Sequence, residues 1–117
     1  MRGILTKEDW GWAIGKGSVL VMVSRKSCAE CVALLESEQD FQVDRVCTID
    51  LDEPGGFDMR EKIPWLWNEV DVLPFWRIFI DGREYGTARG GDLGRVRLMI
   101  EESLESHHLR NSDAQET

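Results

Sequence analysis

The chain has 117 residues, of which 42% are hydrophobic, and a formal net charge of -8. That length accommodates one compact domain with a real apolar core and no second one. The acidic balance excludes a general affinity for nucleic acid, which draws on clustered Lys and Arg.

In chain order, Thr6 with Asp9 three residues on forms a variant capping box, and Trp10, Ala13 and Ile14 supply the apolar stripe of a first helix that ends at Gly15 to Gly17. Val19 to Val23 is an unbroken apolar run, the pattern of a strand buried on both faces. Cys31, Leu34 and Leu35 then repeat at helical spacing, so a second helix is expected from Cys28 to about Glu38. A strand over Arg45 to Leu51 follows, closed by Asp52, Glu53, Pro54, Gly55 and Gly56. Strand, helix, strand implies a right-handed parallel crossover.

Met59, Ile63, Leu66, Trp67 and Val70 keep helical spacing across Pro64. Proline lacks the backbone donor and clashes with the preceding turn, which predicts a kink or two short helices. Phe75 to Ile80 and Glu84 to Ala88 flank Asp81 and Gly82, the signature of a tight antiparallel hairpin. Asp92 is placed to cap a last helix whose inward face is Leu93, Val96, Ile100 and Leu104. From Ser106 the periodicity fades, and residues 106–117 are expected to be a disordered tail to a single domain over 1–105.

Chemistry concentrates at Cys28 and Cys31, where the buried run meets the second helix. Three cysteines are too few and too oddly numbered for a disulfide scaffold, so reversible chemistry explains the close pair better than stapling. At a helix N-terminus, unpaired N–H groups and the positive end of the dipole favour thiolate over thiol. One turn later the second sulfur reaches the first and closes a ring that opens and shuts reversibly. Cys47 alternates with Val46 and Thr48 on a strand covered on both faces, and is read as a buried structural thiol. His107 and His108 with the cysteine pair would make a poorly preorganised zinc site, so no metal is expected. The five tryptophans read mainly as packing, with Trp65 and Trp67 the pair placed to line a surface near Pro74.

The order of elements, the Cys28-Ala29-Glu30-Cys31 motif and the Val72-Leu73-Pro74 segment before the hairpin resemble the thioredoxin superfamily over residues 4 to 105. The resemblance implies an α/β thioredoxin fold with a central mixed sheet of four to five strands flanked by helices. It implies a thiol-disulfide oxidoreductase in which Cys28 attacks a protein disulfide and Cys31 resolves the mixed disulfide. Leu73 and Pro74, at the cis-proline position, would receive an extended substrate segment. The only cofactor implied is the redox-active Cys28–Cys31 disulfide. The partners implied are protein disulfides and a thioredoxin reductase or small-thiol reductant, with no nucleic acid and no membrane.

No apolar run approaches the roughly 20 residues of a membrane span, and Met1 to Asp9 lack the layout of a secretory signal, so the cytoplasm is the expected compartment.

The departures from the thioredoxin pattern are specific. Ser27 stands where thioredoxins carry tryptophan, Glu30 adds a charge that opposes a thiolate, and Arg25 and Lys26 favour one. Met22, six residues before Cys28, replaces the buried aspartate that helps move a proton to or from the second sulfur, and Phe75 replaces a threonine. These losses also suit a binding or assembly module with vestigial thiols, in which the aromatics and the acidic surface choose the partner.

Overall fold

The computed structural model describes residues 9–37, 39–52 and 61–115, with side chains up to residue 110. Helix α1 (Trp10–Ile14) leads into β1 (Ser18–Ser24), α2 (Ala29–Glu36) and β2 (Arg45–Asp50). Then come α3 (Trp65–Asn68), β3 (Phe75–Ile80), β4 (Arg83–Arg89) and α4 (Leu93–Gln115). The four strands form one mixed sheet in the order β2-β1-β3-β4, with β1 parallel to β2 and antiparallel to β3.

Every residue of β1 is buried, as its unbroken apolar run requires of a central strand. Alternation then sorts side chains between two cores. Val19, Val21 and Val23 join Trp10, Ile14, Trp65, Phe75 and Phe79 on one face. Leu20 and Met22 join Cys31, Trp76, Ile78, Val96 and Ile100 on the other. The two sulfur-bearing regions are thereby separated, since Cys47 lies in the first cluster and Cys31 in the second.

Several local signals hold, although Leu35, spaced with Cys31 and Leu34, is 42% exposed on α2 and Val70 lies beyond the end of α3. Glu61 and Lys62 are helical, the helix breaks at Ile63, and α3 starts after Pro64, as the proline predicts. Asp81 and Gly82 both have positive φ, 51° and 83°, the backbone of a hairpin turn whose twist matches the strands. Asp92 Oδ1 accepts from the N–H groups of Gly94 and Arg95, at 3.1 and 3.3 Å, and so caps α4. Thr6, Glu38 and the segment from Glu53 to Met59 lie outside the described residues.

One expectation is corrected. The tail expected to be disordered from Ser106 continues α4 to Gln115. No proline or glycine follows Gly94 to stop the helix. A tertiary contact also holds it: Tyr85 Oη lies 2.9 Å from His107 Nδ1, the rings meet edge to face, and the Arg110 guanidinium sits 5.8 Å from the Tyr85 ring centre. That contact comes from β4, and helical periodicity along the tail does not report it.

Candidate functional site

The chain leaves β1 at Ser24 and turns through Arg25, Lys26 and Ser27, with the Cys28 N–H donating to the Arg25 carbonyl at 3.1 Å. Asp52, just beyond β2, holds this turn. Its carboxylate accepts from the Lys26 N–H at 3.1 Å and lies 3.4 Å from Arg25 Nε. Cys28 then takes the N-cap position of α2 with extended backbone, and its Sγ accepts from the Cys31 N–H at 3.2 Å. The first sulfur thus takes up one of the backbone donors that a helix start leaves without an intrahelical acceptor.

Cys28 and Cys31 are joined in a disulfide with their Cα atoms 5.2 Å apart. Cys28 is half-buried and Cys31 is fully buried, at 0% exposure. The two cysteines are therefore unequal in exposure, since solvent reaches part of Cys28 and none of Cys31.

Glu30 is exposed in the first turn of α2, and its carboxylate rests on Gly91 so closely that a Cβ there would run into it. Ser27 is exposed. Met22 is fully buried and shares its cluster with Cys31, so this point of β1 holds no group able to take up or release a proton.

The Leu73–Pro74 peptide is cis. Leu73 is half-buried and packs against both core clusters, on the second of which Cys28 also packs. The Gly90 N–H donates to the Pro74 carbonyl at 2.8 Å, and Trp76 Nε1–H donates to the Gly90 carbonyl at 2.9 Å. Beside Leu73 opens a groove of about 320 Å³ lined by Arg25, Leu51, Leu66, Trp67 and Val72.

The two tryptophans named from sequence part company. Trp67 is 58% exposed on the groove, whereas Trp65 is buried among Trp10, Phe75 and Phe79, with ring centres 5.9 to 6.4 Å apart. Cys47 is buried and unbridged, and burial pushes its thiol up from the ordinary range. Its cluster is on the opposite side of the sheet from Cys31. Among the described residues no group of three or more His, Cys, Asp or Glu side chains gathers as a metal site would require, and no helix is long and apolar enough to cross a membrane.

Sequence reasoning gave Asp52 only as the end of a strand, and passed over Gly90 and a charged network built from Arg77, Glu69, Arg89 and Asp71. One signal was present, a charged Arg77 between Phe75 and Phe79 in a strand otherwise apolar on that face.

No family model matches the sequence, and no curated protein matches it. Solved structures do. The thioredoxin of Malassezia sympodialis (Mala s 13) is similar with a TM-score of 0.63 at 16% identity, over 86% of this chain and 87% of its own. Thioredoxin f2 of Chlamydomonas reinhardtii gives 0.65 at 13% identity, over 86% and 95%. Thioredoxin O1 of Arabidopsis thaliana, in its oxidized state, gives 0.64 at 17% identity, over 87% and 98%. The chain has the thioredoxin fold.

Proposed function

We propose that this chain is a thiol-disulfide oxidoreductase acting on protein disulfides. In the reduced protein the Cys28 thiolate attacks one sulfur of a partner disulfide. The partner's S–S bond breaks, and its departing thiolate takes up a proton. Cys31 then loses its proton and attacks Cys28 Sγ, which releases the partner's second thiol. Two electrons pass to the partner, and the Cys28–Cys31 disulfide is left behind. A thioredoxin reductase or a small thiol returns the electrons. Leu73 and Pro74 receive the extended segment that carries the partner's cysteine, by strand-like docking.

The observation that carries this reading is the asymmetry of the pair. A half-buried sulfur caps a helix and accepts its Cys31 N–H, and it is bonded to a sulfur that solvent does not reach. The test is reduction of insulin disulfides by the purified protein with dithiothreitol. Wild type is expected to accelerate it, and Cys28→Ser to fall to the uncatalysed rate.

Met22 under Cys31 favours a second reading, a thioredoxin-fold binding module whose thiols are vestigial. Wild type indistinguishable from the uncatalysed rate would select it.

A further inference from the structure

Arg77 sits in the middle of β3 with only 4% of its surface exposed. Its neighbours on that face of the strand, Phe75 and Phe79, are core residues. A buried guanidinium is costly unless paired, and here it is paired closely. Nη1 and Nη2 donate to both carboxylate oxygens of Glu69, at 3.2 and 2.7 Å. Glu84 lies 3.3 Å from Nη1, and the guanidinium stacks 4.5 Å from the Trp65 ring centre.

Glu69 is the residue that ends α3, its N–H donating to the Trp65 carbonyl at 2.9 Å. Its carboxyl is held below the usual carboxylate range, chiefly by the hydrogen bond from Arg77, so it is charged at neutral pH. With 47% of its side chain exposed it would be well solvated anywhere nearby. The ion pair therefore decides where it lies. From Glu69 the chain runs directly to Leu73 and Pro74. A second arginine grips the same stretch, as Arg89 Nε donates to Asp71 Oδ1 at 2.7 Å and Nη2 to the Glu69 carbonyl at 3.4 Å. The far end is fixed by Gly90 on the Pro74 carbonyl.

We propose that Arg77 is a positioning residue: through Glu69 it fixes where α3 ends, and so sets the Leu73–Pro74 segment against the Cys28–Cys31 pair. This rests on the reading that the segment receives substrate. Stability alone does not account for the arginine, because replacing a buried ion pair by apolar groups is often neutral or stabilising, and Trp65, Phe75 and Phe79 offer an apolar site.

The full chain and its Arg77→Leu, Arg77→Lys and Glu69→Gln variants test this with three readouts. In Arg77→Leu, amide hydrogen exchange across residues 70–73 is expected to speed up about tenfold, while the melting temperature holds. The KM for insulin is expected to rise about tenfold with kcat little changed. Reaction with a small aromatic disulfide, which needs no docking, is expected to stay within about twofold of wild type, and Arg77→Lys to recover part of the insulin loss. Glu69→Gln keeps an oxygen that can accept from Arg77 and leaves Glu84 as its counter-charge, so it moves the same readouts the same way and decides the matter if Arg77→Leu does not fold.

Unchanged exchange across 70–73, or equal losses with insulin and the small disulfide, overturn the assignment. If wild type reduces neither disulfide, the oxidoreductase reading fails, and the exchange result alone still decides whether Arg77 positions the segment.

Discussion

Met22→Asp sets stability against proton transfer at one position. Met22 is fully buried on β1, between Thr48 of β2 and Trp76 of β3, in the cluster that holds Cys31. Removing a buried methionine forfeits about 1.5–3 kcal/mol of apolar burial, and a buried carboxyl without a full set of partners adds about 1–3 kcal/mol. A total of about 2.5–6 kcal/mol lowers Tm by about 10 °C or more in a domain of this size. Met22→Leu conserves volume and should cost less than about 1.5 kcal/mol.

Burial raises the introduced carboxyl's folded pKa above its unfolded value of about 3.9. Its contribution is thus fully present below that unfolded value and lost as pH rises through the folded one, so the deficit against wild type grows from acid toward neutral pH. Resolution should move the opposite way. Mixing reduced protein with dithiobis(nitrobenzoate) releases one thionitrobenzoate as Cys28 is capped and a second as Cys31 resolves. The second phase should be at least about tenfold faster in Met22→Asp, because a base then adjoins the Cys31 thiol. A variant as stable as Met22→Leu would refute the sealed core, and an unchanged second phase would refute the view that deprotonation of Cys31 limits resolution.

Three further outcomes follow from the structure. Cys47 should resist alkylation in the folded, oxidised protein and react fully in denaturant, with mass mapping placing the bridge between Cys28 and Cys31. Because its thiol is pushed up by burial, the stability Cys47 contributes is complete below its unfolded pKa and lost as pH rises through the folded one. Gly82→Ala should cost about 1–2 kcal/mol in a denaturant titration: φ is 83° there and the nearest atoms to a Cβ are 3.8 Å away, so the penalty is backbone conformation and not a clash. His107→Ala should cost about 1 kcal/mol through loss of the Tyr85 contact, whereas a disordered tail would make it neutral.

What sequence reasoning reached was chemistry written locally. The unbroken run of β1, the cysteine at the start of α2, the Pro64 break, the Asp81–Gly82 turn and the Asp92 cap each follow from residues within one turn of each other. What it missed depends on partners far along the chain. Asp52 holds the turn before Cys28 from across β2, and His107 is fixed by Tyr85. Trp65 turns inward while Trp67 stays out, because Arg77 and Phe75 of β3 wait on only one side of α3. Spacing alone treats the two tryptophans alike.

The most direct measurement is a trap. Cys31→Ser, reduced and then offered oxidised insulin, removes the sulfur that would release the partner. The account predicts a stable protein–insulin adduct whose mass maps to Cys28, and no adduct with Cys28→Ser. An adduct on Cys47, or none with Cys31→Ser, would contradict it.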